Sequence, residues 1–382
     1  MALRFGIDHF CANLDQFAAN QNLGLITNPS GIDSELVSSI DRLHETGRLV
    51  ALYGPEHGVR GHVQAGKKVA ASRDPKTDLP VYSLYGDTRK PTSAMLSGVD
   101  VLVYDIQDVG CRFYTYLYTL LYALQAAAEF HIPIIVLDRP NPLGGDIMEG
   151  NIVEPKFTSF VGYPIPIRYG LTVGEMALYF NTIFEIHAPL QVVPLTGWHR
   201  HNYRIEHNMV WVPPSPNMPK LETAFVYPGT CFAEGTNLSE GRGTALPFEI
   251  IGAPFINGYQ LAEVLNRLHL PGIHFRPTTF TPTFSKYTGE QCQGVQLHVL
   301  DRVTYRPVQT GLMLIKTVAE LYEEFEFLKP PTAGGRYFFD LLAGSDQIRK
   351  LIDAREPLDT VFSQWEMQLT EFRTQSLPFR LY

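Results

Sequence analysis

Val99-Asp100-Val101-Leu102-Val103-Tyr104-Asp105-Ile106-Gln107-Asp108-Val109-Gly110-Cys111-Arg112 is a strand-length apolar run that breaks into a loop of carboxylates, an amide and a guanidinium. A helical pattern follows over Phe113–Phe130, then a second apolar run over Ile132–Leu137. Strand, helix and strand in that order make a parallel unit, because a parallel return needs a crossover long enough to hold a helix. The same alternation extends outward in both directions. Apolar runs recur at Leu23–Thr27, Leu49–Tyr53, Val81–Leu84 and Leu190–Pro194, with helical patterns at Leu36–Thr46 and Val173–Phe184. Runs rich in Val, Ile and Leu with little polar alternation are strands covered on both faces. The first half therefore reads as α/β, a Rossmann-like, mostly parallel sheet domain.

Pro213–Pro219 carries four prolines in seven residues, which predicts a rigid extended connection in place of helix or strand. Beyond it a helix pattern near Gln260–Leu268, strand-like runs at His274–Phe284 and Val295–Leu300, and helices to the C-terminus predict a smaller α+β unit. The expected division is 1–228 and 229–382. A chain of 382 residues is long enough for two cores.

Composition narrows the function classes. Apolar residues make up 45% and charged residues 18%, a globular balance. The formal charge is −8 with scattered basic residues, which argues against a nucleic-acid partner. The N-terminus reaches Asp8 and His9 before any signal-peptide core, so the chain as written is expected in the cytoplasm, and in the periplasm or outside the cell if a leader has been trimmed. No apolar stretch approaches the ~18 residues of a membrane span. Cys11, Cys111, Cys231 and Cys292 are far apart and form no CxxC pair, which predicts reduced, mostly buried thiols.

In an open α/β sheet, ligands bind outside the carboxyl ends of the strands. Four loops there carry chemistry: Asn28-Pro29-Ser30-Gly31, Gly54-Pro55-Glu56-His57-Gly58-Val59-Arg60-Gly61, the Asp105–Arg112 loop, and Asp138-Arg139-Pro140-Asn141-Pro142. Glycines 54, 58 and 61 with Pro55 make a tight, rigid turn that displays Glu56. A carboxyl on such a loop, walled by apolar residues, suits a general acid. The bland alternative is a pairing of Glu56 with Arg60. His57 is read as a support for Glu56. Asp105, Gln107, Asp108 and Arg112 suit hydroxyl and amide recognition, or a buried network that fixes the loop. Arg60, Arg112, Arg139 and Arg242 could grip an acidic substituent.

Tyr114, Tyr118 and Tyr122 share one helical face, expected to pack on the sheet, with Tyr114 best placed to reach a ligand. His199-Arg200-His201 has the HxH form of some metal sites but no partner carboxylate nearby, so a metal site is not expected, and no cofactor is expected because protonation and attack by water need none. Serine-hydrolase, P-loop, dinucleotide and zincin motifs are absent.

The Gly54–Gly58, Asp105–Gly110 and Asp138–Pro142 motifs, with Glu234-Gly235-Thr236-Asn237-Leu238-Ser239-Glu240-Gly241-Arg242-Gly243-Thr244 and Pro214-Ser215-Pro216-Asn217-Met218-Pro219, resemble in content and order the NamZ-type exo-β-N-acetylmuramidases. The resemblance implies release of N-acetylmuramic acid from the non-reducing end of peptidoglycan fragments in a cleft between the two domains. It implies Glu56 as the catalytic acid. Asp105 or Asp108, then Glu240, are the candidates for the second carboxylate, or the substrate's own N-acetyl group replaces it. Asn28, Arg60, Gln107, Arg112, Tyr114, Arg139, Asn141, Asn217, Glu240 and Arg242 are the candidate substrate contacts. The competing readings are a non-catalytic receptor for an acidic amino sugar or muropeptide, and an enzyme of another class such as a deacetylase.

Overall fold

The computed structural model describes residues 3–61, 72–86, 88–159, 163–201, 210–332 and 334–382. Seven strands form the main sheet: β1 (Leu23–Thr27), β2 (Leu49–Gly54), β3 (Ser72–Arg73), β4 (Pro80–Ser83), β5 (Val101–Asp105), β6 (Ile134–Leu137) and β7 (Leu190–Val193). Their order is β3-β4-β2-β1-β5-β6-β7, parallel throughout except where the short β3 runs antiparallel along β4. The chain builds outward from β1 on one side and then crosses to β5 on the other, so the order reverses between β1 and β5.

Side chains alternate between two cores. Leu23, Leu25, Val101 and Val103 point to one that holds Phe5, Ile7, Phe10, Ile40 and Leu43. Ile26, Leu102 and Tyr104 point to the other, which continues through Leu117, Leu120, Leu121 and Leu124 of the helix Tyr116–Phe130 into the second half of the chain. Burial on both faces explains the absence of polar alternation, and each such side chain contributes about 1.5–3 kcal/mol.

The C-terminal half holds an antiparallel three-stranded sheet, β8 (Ile250–Ala253), β9 (Ile273–Phe280) and β10 (Cys292–Val299), in the order β8-β10-β9. Helix Gly258–Arg267 packs on it, Pro307–Leu321 packs against that helix, and Phe338–Ala343 and Asp359–Ser376 follow. The proline-rich segment 213–219 is irregular, as its prolines require. The four thiols are free, with Cys11 half-buried and the others buried. Among the described residues, no helix is long and apolar enough to cross a membrane.

Candidate active site

Loops after parallel strands open onto a cavity of about 380 Å³. One wall comes from the turn after β2 (Glu56, His57), the segment after β4 (Leu84, Tyr85, Arg89) and the entry to the helix Tyr116–Phe130 (Phe113, Tyr114, Thr115, Tyr116). The proline-rich connection adds Ser215, Asn217 and Met218. The opposite wall belongs to the C-terminal half, with Tyr227, Cys231, Glu234, Arg242 and Phe248.

Glu56 is held by a turn that few sequences can form. Gly58 N–H donates to the Pro55 carbonyl at 3.0 Å, and both His57 and Gly58 adopt φ of +74°. That region is cheap for glycine and tolerated by few other residues, His among them. The Glu56 side chain is thereby aimed at the cavity, where Thr115 Oγ1 donates to its Oε2 at 3.1 Å. The Tyr85 hydroxyl bonds the same carboxylate, and its pKa is pushed up to about 12, first by burial and then by the Glu56 charge. His57 is buried beside it.

Aromatic rings span the floor. Tyr114 meets Tyr116 edge-on at 5.0 Å and Tyr227 at 5.9 Å, and Tyr227 meets Phe248 at 4.8 Å. Arg242 stacks over Phe248 at 4.9 Å. Arg242 also donates to Glu234 Oε1 from Nε at 3.1 Å and Nη2 at 2.5 Å, and lies 3.3 Å from Glu240. Burial, only partly offset by Arg242, raises the Glu234 pKa.

The structure separates the predicted site residues into two groups. Glu56, His57, Tyr114, Asn217 and Arg242 line the cavity. The others lie behind its walls for identifiable reasons. Asp105 is fully buried in an ion pair with Arg139 at 2.5 and 2.9 Å, and also accepts from Ser39 Oγ. Arg60 is bidentate on Asp74 at 2.8 and 3.0 Å, not on Glu56, and holds the Asp74 carboxyl well below the usual range. Arg112 is buried among carbonyls, donating to Asn151, Ile165, Leu342 and Ala343, and burial lowers its pKa to about 10. It thus ties the C-terminus of the helix Phe338–Ala343 to the first half.

Asn28 Nδ2 donates to the Pro214 carbonyl at 3.0 Å, as does Tyr116 OH at 2.7 Å, so the connection is sealed over the end of β1. Gln107 donates to the Asp108 and Pro140 carbonyls, and Asn141 to the Leu171 carbonyl. Asp108 accepts from Gly110 N–H at 2.7 Å, with its pKa raised to about 6 by burial. Glu240 sits one layer behind Arg242, against Lys286 Nζ at 3.1 Å. The reversal point between β1 and β5 is therefore filled by the protein's own hydrogen bonds, and the cavity lies toward β2 and β4. Tyr118 is buried in the core shared with the sheet and Tyr122 packs against that core, as expected, and both also line the cavity. Among the described residues no group of three metal-ligating side chains forms, and His199 and His201 are simply ring neighbours at 5.8 Å.

Sequence reasoning missed Tyr85, Arg89, Thr115, Ser215, Tyr227 and Glu234. Tyr85 and Arg89 follow β4, a parallel strand like the others, so the rule that selected four loops applies equally to this fifth. Tyr227 and Glu234 reach the cavity only through tertiary packing.

Residues 23–222 match the N-terminal domain, and residues 225–382 the C-terminal domain, of the family described as exo-beta-N-acetylmuramidase NamZ. Over 381 residues the chain is 50% identical to the peptidoglycan beta-N-acetylmuramidase NamZ of Bacillus subtilis (strain 168), covering 99% of this chain and 91% of that protein. Two crystal structures of DUF1343 family proteins from Bacteroides fragilis NCTC 9343 share the fold. One has a TM-score of 0.90 at 40% identity, the other 0.76 at 29%, and each alignment covers 100% of this chain and 99% of the other.

Proposed function

The chain belongs to the NamZ exo-β-N-acetylmuramidase family and is a glycosidase that removes N-acetylmuramic acid from peptidoglycan fragments, and from that premise we propose that Glu56 is its general acid. The observation that carries the assignment is the placement of this carboxyl: it is aimed into the cavity by a left-handed turn and held there by Thr115 and Tyr85. A proton passes from Glu56 to the glycosidic oxygen as its bond to the anomeric carbon breaks, and water supplies the hydroxyl that ends on that carbon and the proton that restores the acid. His57, buried next to Glu56, fixes the turn. Tyr114, Asn217 and Arg242 contact the sugar, and the ring faces of the tyrosines provide the apolar surface on which pyranose C–H groups pack.

Asp105, Asp108 and Glu240 are reassigned to the scaffold because they lie behind the wall, which among the described residues leaves Glu234 as the second carboxylate lining the cavity. The two domains are taken as 1–228 and 229–382, with the second completing the cleft.

A chromogenic β-N-acetylmuramide and its β-N-acetylglucosaminide analogue, given to the natural chain and to Glu56→Gln, test the assignment. Release from the muramide, reduced by about 10²- to 10⁴-fold in the variant while sugar binding persists, is the expected outcome, since that is what general acid–base catalysis is worth. Turnover undiminished by the substitution would remove Glu56 from the mechanism. Binding without any turnover in the natural chain would instead identify a receptor.

A further inference from the structure

N-Acetylmuramic acid differs from N-acetylglucosamine by a lactyl ether on the 3-position, and that ether ends in a carboxylate. An enzyme that discriminates the two needs a cation able to meet that charge without first breaking an internal ion pair. Resting on the muramidase reading, we propose that Arg89 is the specificity-determining residue that receives the lactyl carboxylate.

The argument is one of charge placement. Among the described residues, two arginines line the cavity, Arg89 and Arg242. Arg242 is committed: Nε and Nη2 both donate to Glu234, and Glu240 stands 3.3 Å from Nε. Glu240 in turn is neutralised by Lys286 at 3.1 Å. Glu234, Glu240, Arg242 and Lys286 thus form a balanced set of two anions and two cations, and a substrate carboxylate brought to Arg242 meets both glutamates. The other arginines considered, Arg60, Arg112 and Arg139, are held behind the walls by Asp74, by carbonyls and by Asp105. Arg89 is exposed at the cavity and, among the described residues, has no carboxylate partner.

Its position relative to the acid also suits the substrate. Leu84 N–H donates to the Gly54 carbonyl at 2.8 Å, which fastens the segment carrying Tyr85 and Arg89 beside the turn carrying Glu56. The Tyr85 hydroxyl bonds Glu56 and also feels the Arg89 charge, and all three side chains line the same cavity. In the sugar, the 3-substituent likewise stands two ring atoms from the anomeric carbon that Glu56 serves. Guanidinium is the side chain shaped to take a carboxylate bidentately.

The test compares the muramide with its lactyl carboxamide, which keeps the shape and removes the charge. The ratio of kcat/KM for acid over amide is measured in the natural chain, Arg89→Gln, Arg89→Lys and Arg242→Gln. The natural chain is expected to favour the acid by about 10- to 100-fold, the range for a hydrogen-bonded charge. Arg89→Gln brings the ratio close to one, Arg89→Lys restores part of it, and Arg242→Gln keeps it even as its absolute rate falls. A ratio undiminished in Arg89→Gln, an equal loss on both substrates, or no preference in the natural chain would overturn the assignment. Calorimetric binding of N-acetylmuramic acid and its amide to the same proteins reads the ratio without turnover, so a failure of the muramidase reading is told apart from a failure of Arg89. In that measurement too, a ratio that survives Arg89→Gln, or no binding of either sugar, counts against the proposal.

Discussion

Replacing Arg139 with leucine strands the Asp105 carboxylate at the buried end of β5, where Ser39 is its remaining side-chain partner. Removing one member of a buried ion pair costs about 3–5 kcal/mol, because the other charge stays desolvated. Urea unfolding of Arg139→Leu is expected to show a loss of that size, and a loss below about 1 kcal/mol would mean that the pair does not hold the strand ends together. The pair also shows what sequence can and cannot assign at this scale. Glu56 was legible because Gly54, Pro55, Gly58 and Gly61 specify a turn whose geometry exposes its side chain. Asp105 looked equivalent, since it too follows a parallel strand, but it is the last residue of β5, its side chain is fully buried, and Ser39 and Arg139 close over it. Distance along the chain from a strand end indicates the rim without indicating depth. Arg60 and Arg112 fail for the same reason: whether a guanidinium reaches a ligand, an aspartate or a set of carbonyls is decided by residues remote in sequence, Asp74 in one case and Leu342 and Ala343 in the other.

The helices Leu221–Thr230 and Pro307–Leu321 meet backbone to backbone at Gly229 and Gly311. A Cβ on Gly311 would lie 2.2 Å from the Gly229 carbonyl oxygen, and one on Gly229 would lie 2.0 Å from that of Pro307. Gly311→Ala must therefore push the helices apart, and overpacking of this kind costs about 1–3 kcal/mol. Because Leu221–Thr230 carries Tyr227 into the cavity, the variant is expected to lower both its melting temperature and its turnover. An unchanged melting curve would show that the crossing is loose. The parallel strands and the helix Tyr116–Phe130 were readable because unbroken Val, Ile and Leu runs and a long apolar helix are strong local signals. The helix expected over Leu36–Thr46 shrinks to Ser39–His44, since Leu36 takes a φ of +64°, Asp33 accepts the N–H groups of Glu35 and Val37, and Ser38 caps the true start. The helix Leu221–Thr230 escaped notice because Pro228 lies inside it, and β8 because four residues with a glycine carry almost no periodic signal.

Two buried carboxyls fasten the molecule as a whole, and they give it a pH dependence with a definite sign. Asp138, at the end of β6, accepts from Thr172 Oγ1 at 2.8 Å, Gly174 N–H at 2.7 Å and the hydroxyl of the C-terminal Tyr382 at 2.7 Å. Glu149, in the first half, accepts from Gln309 N–H at 2.8 Å and so caps the helix Pro307–Leu321 of the second. Burial pushes both pKa values up to about 7, and Asp108 to about 6 behind Tyr114. In the unfolded chain these groups ionise near 4. Between those limits the folded protein binds protons that the unfolded chain has released, so their contribution is full below about pH 4 and is lost as the pH rises through 7. Asp74 works in the opposite direction: Arg60 lowers its pKa, and its contribution is lost only in acid, as the pH falls below the usual carboxylate range. The urea midpoint is thus expected to fall as the pH rises from about 5 to about 8, and Asp138→Asn with Glu149→Gln should flatten that slope. A slope identical in the double variant would mean that these carboxyls do not titrate across the folding transition. A flattened slope would place the proton linkage at Asp138, which fixes the C-terminus, and at Glu149, on the seam where the two halves close around Glu56.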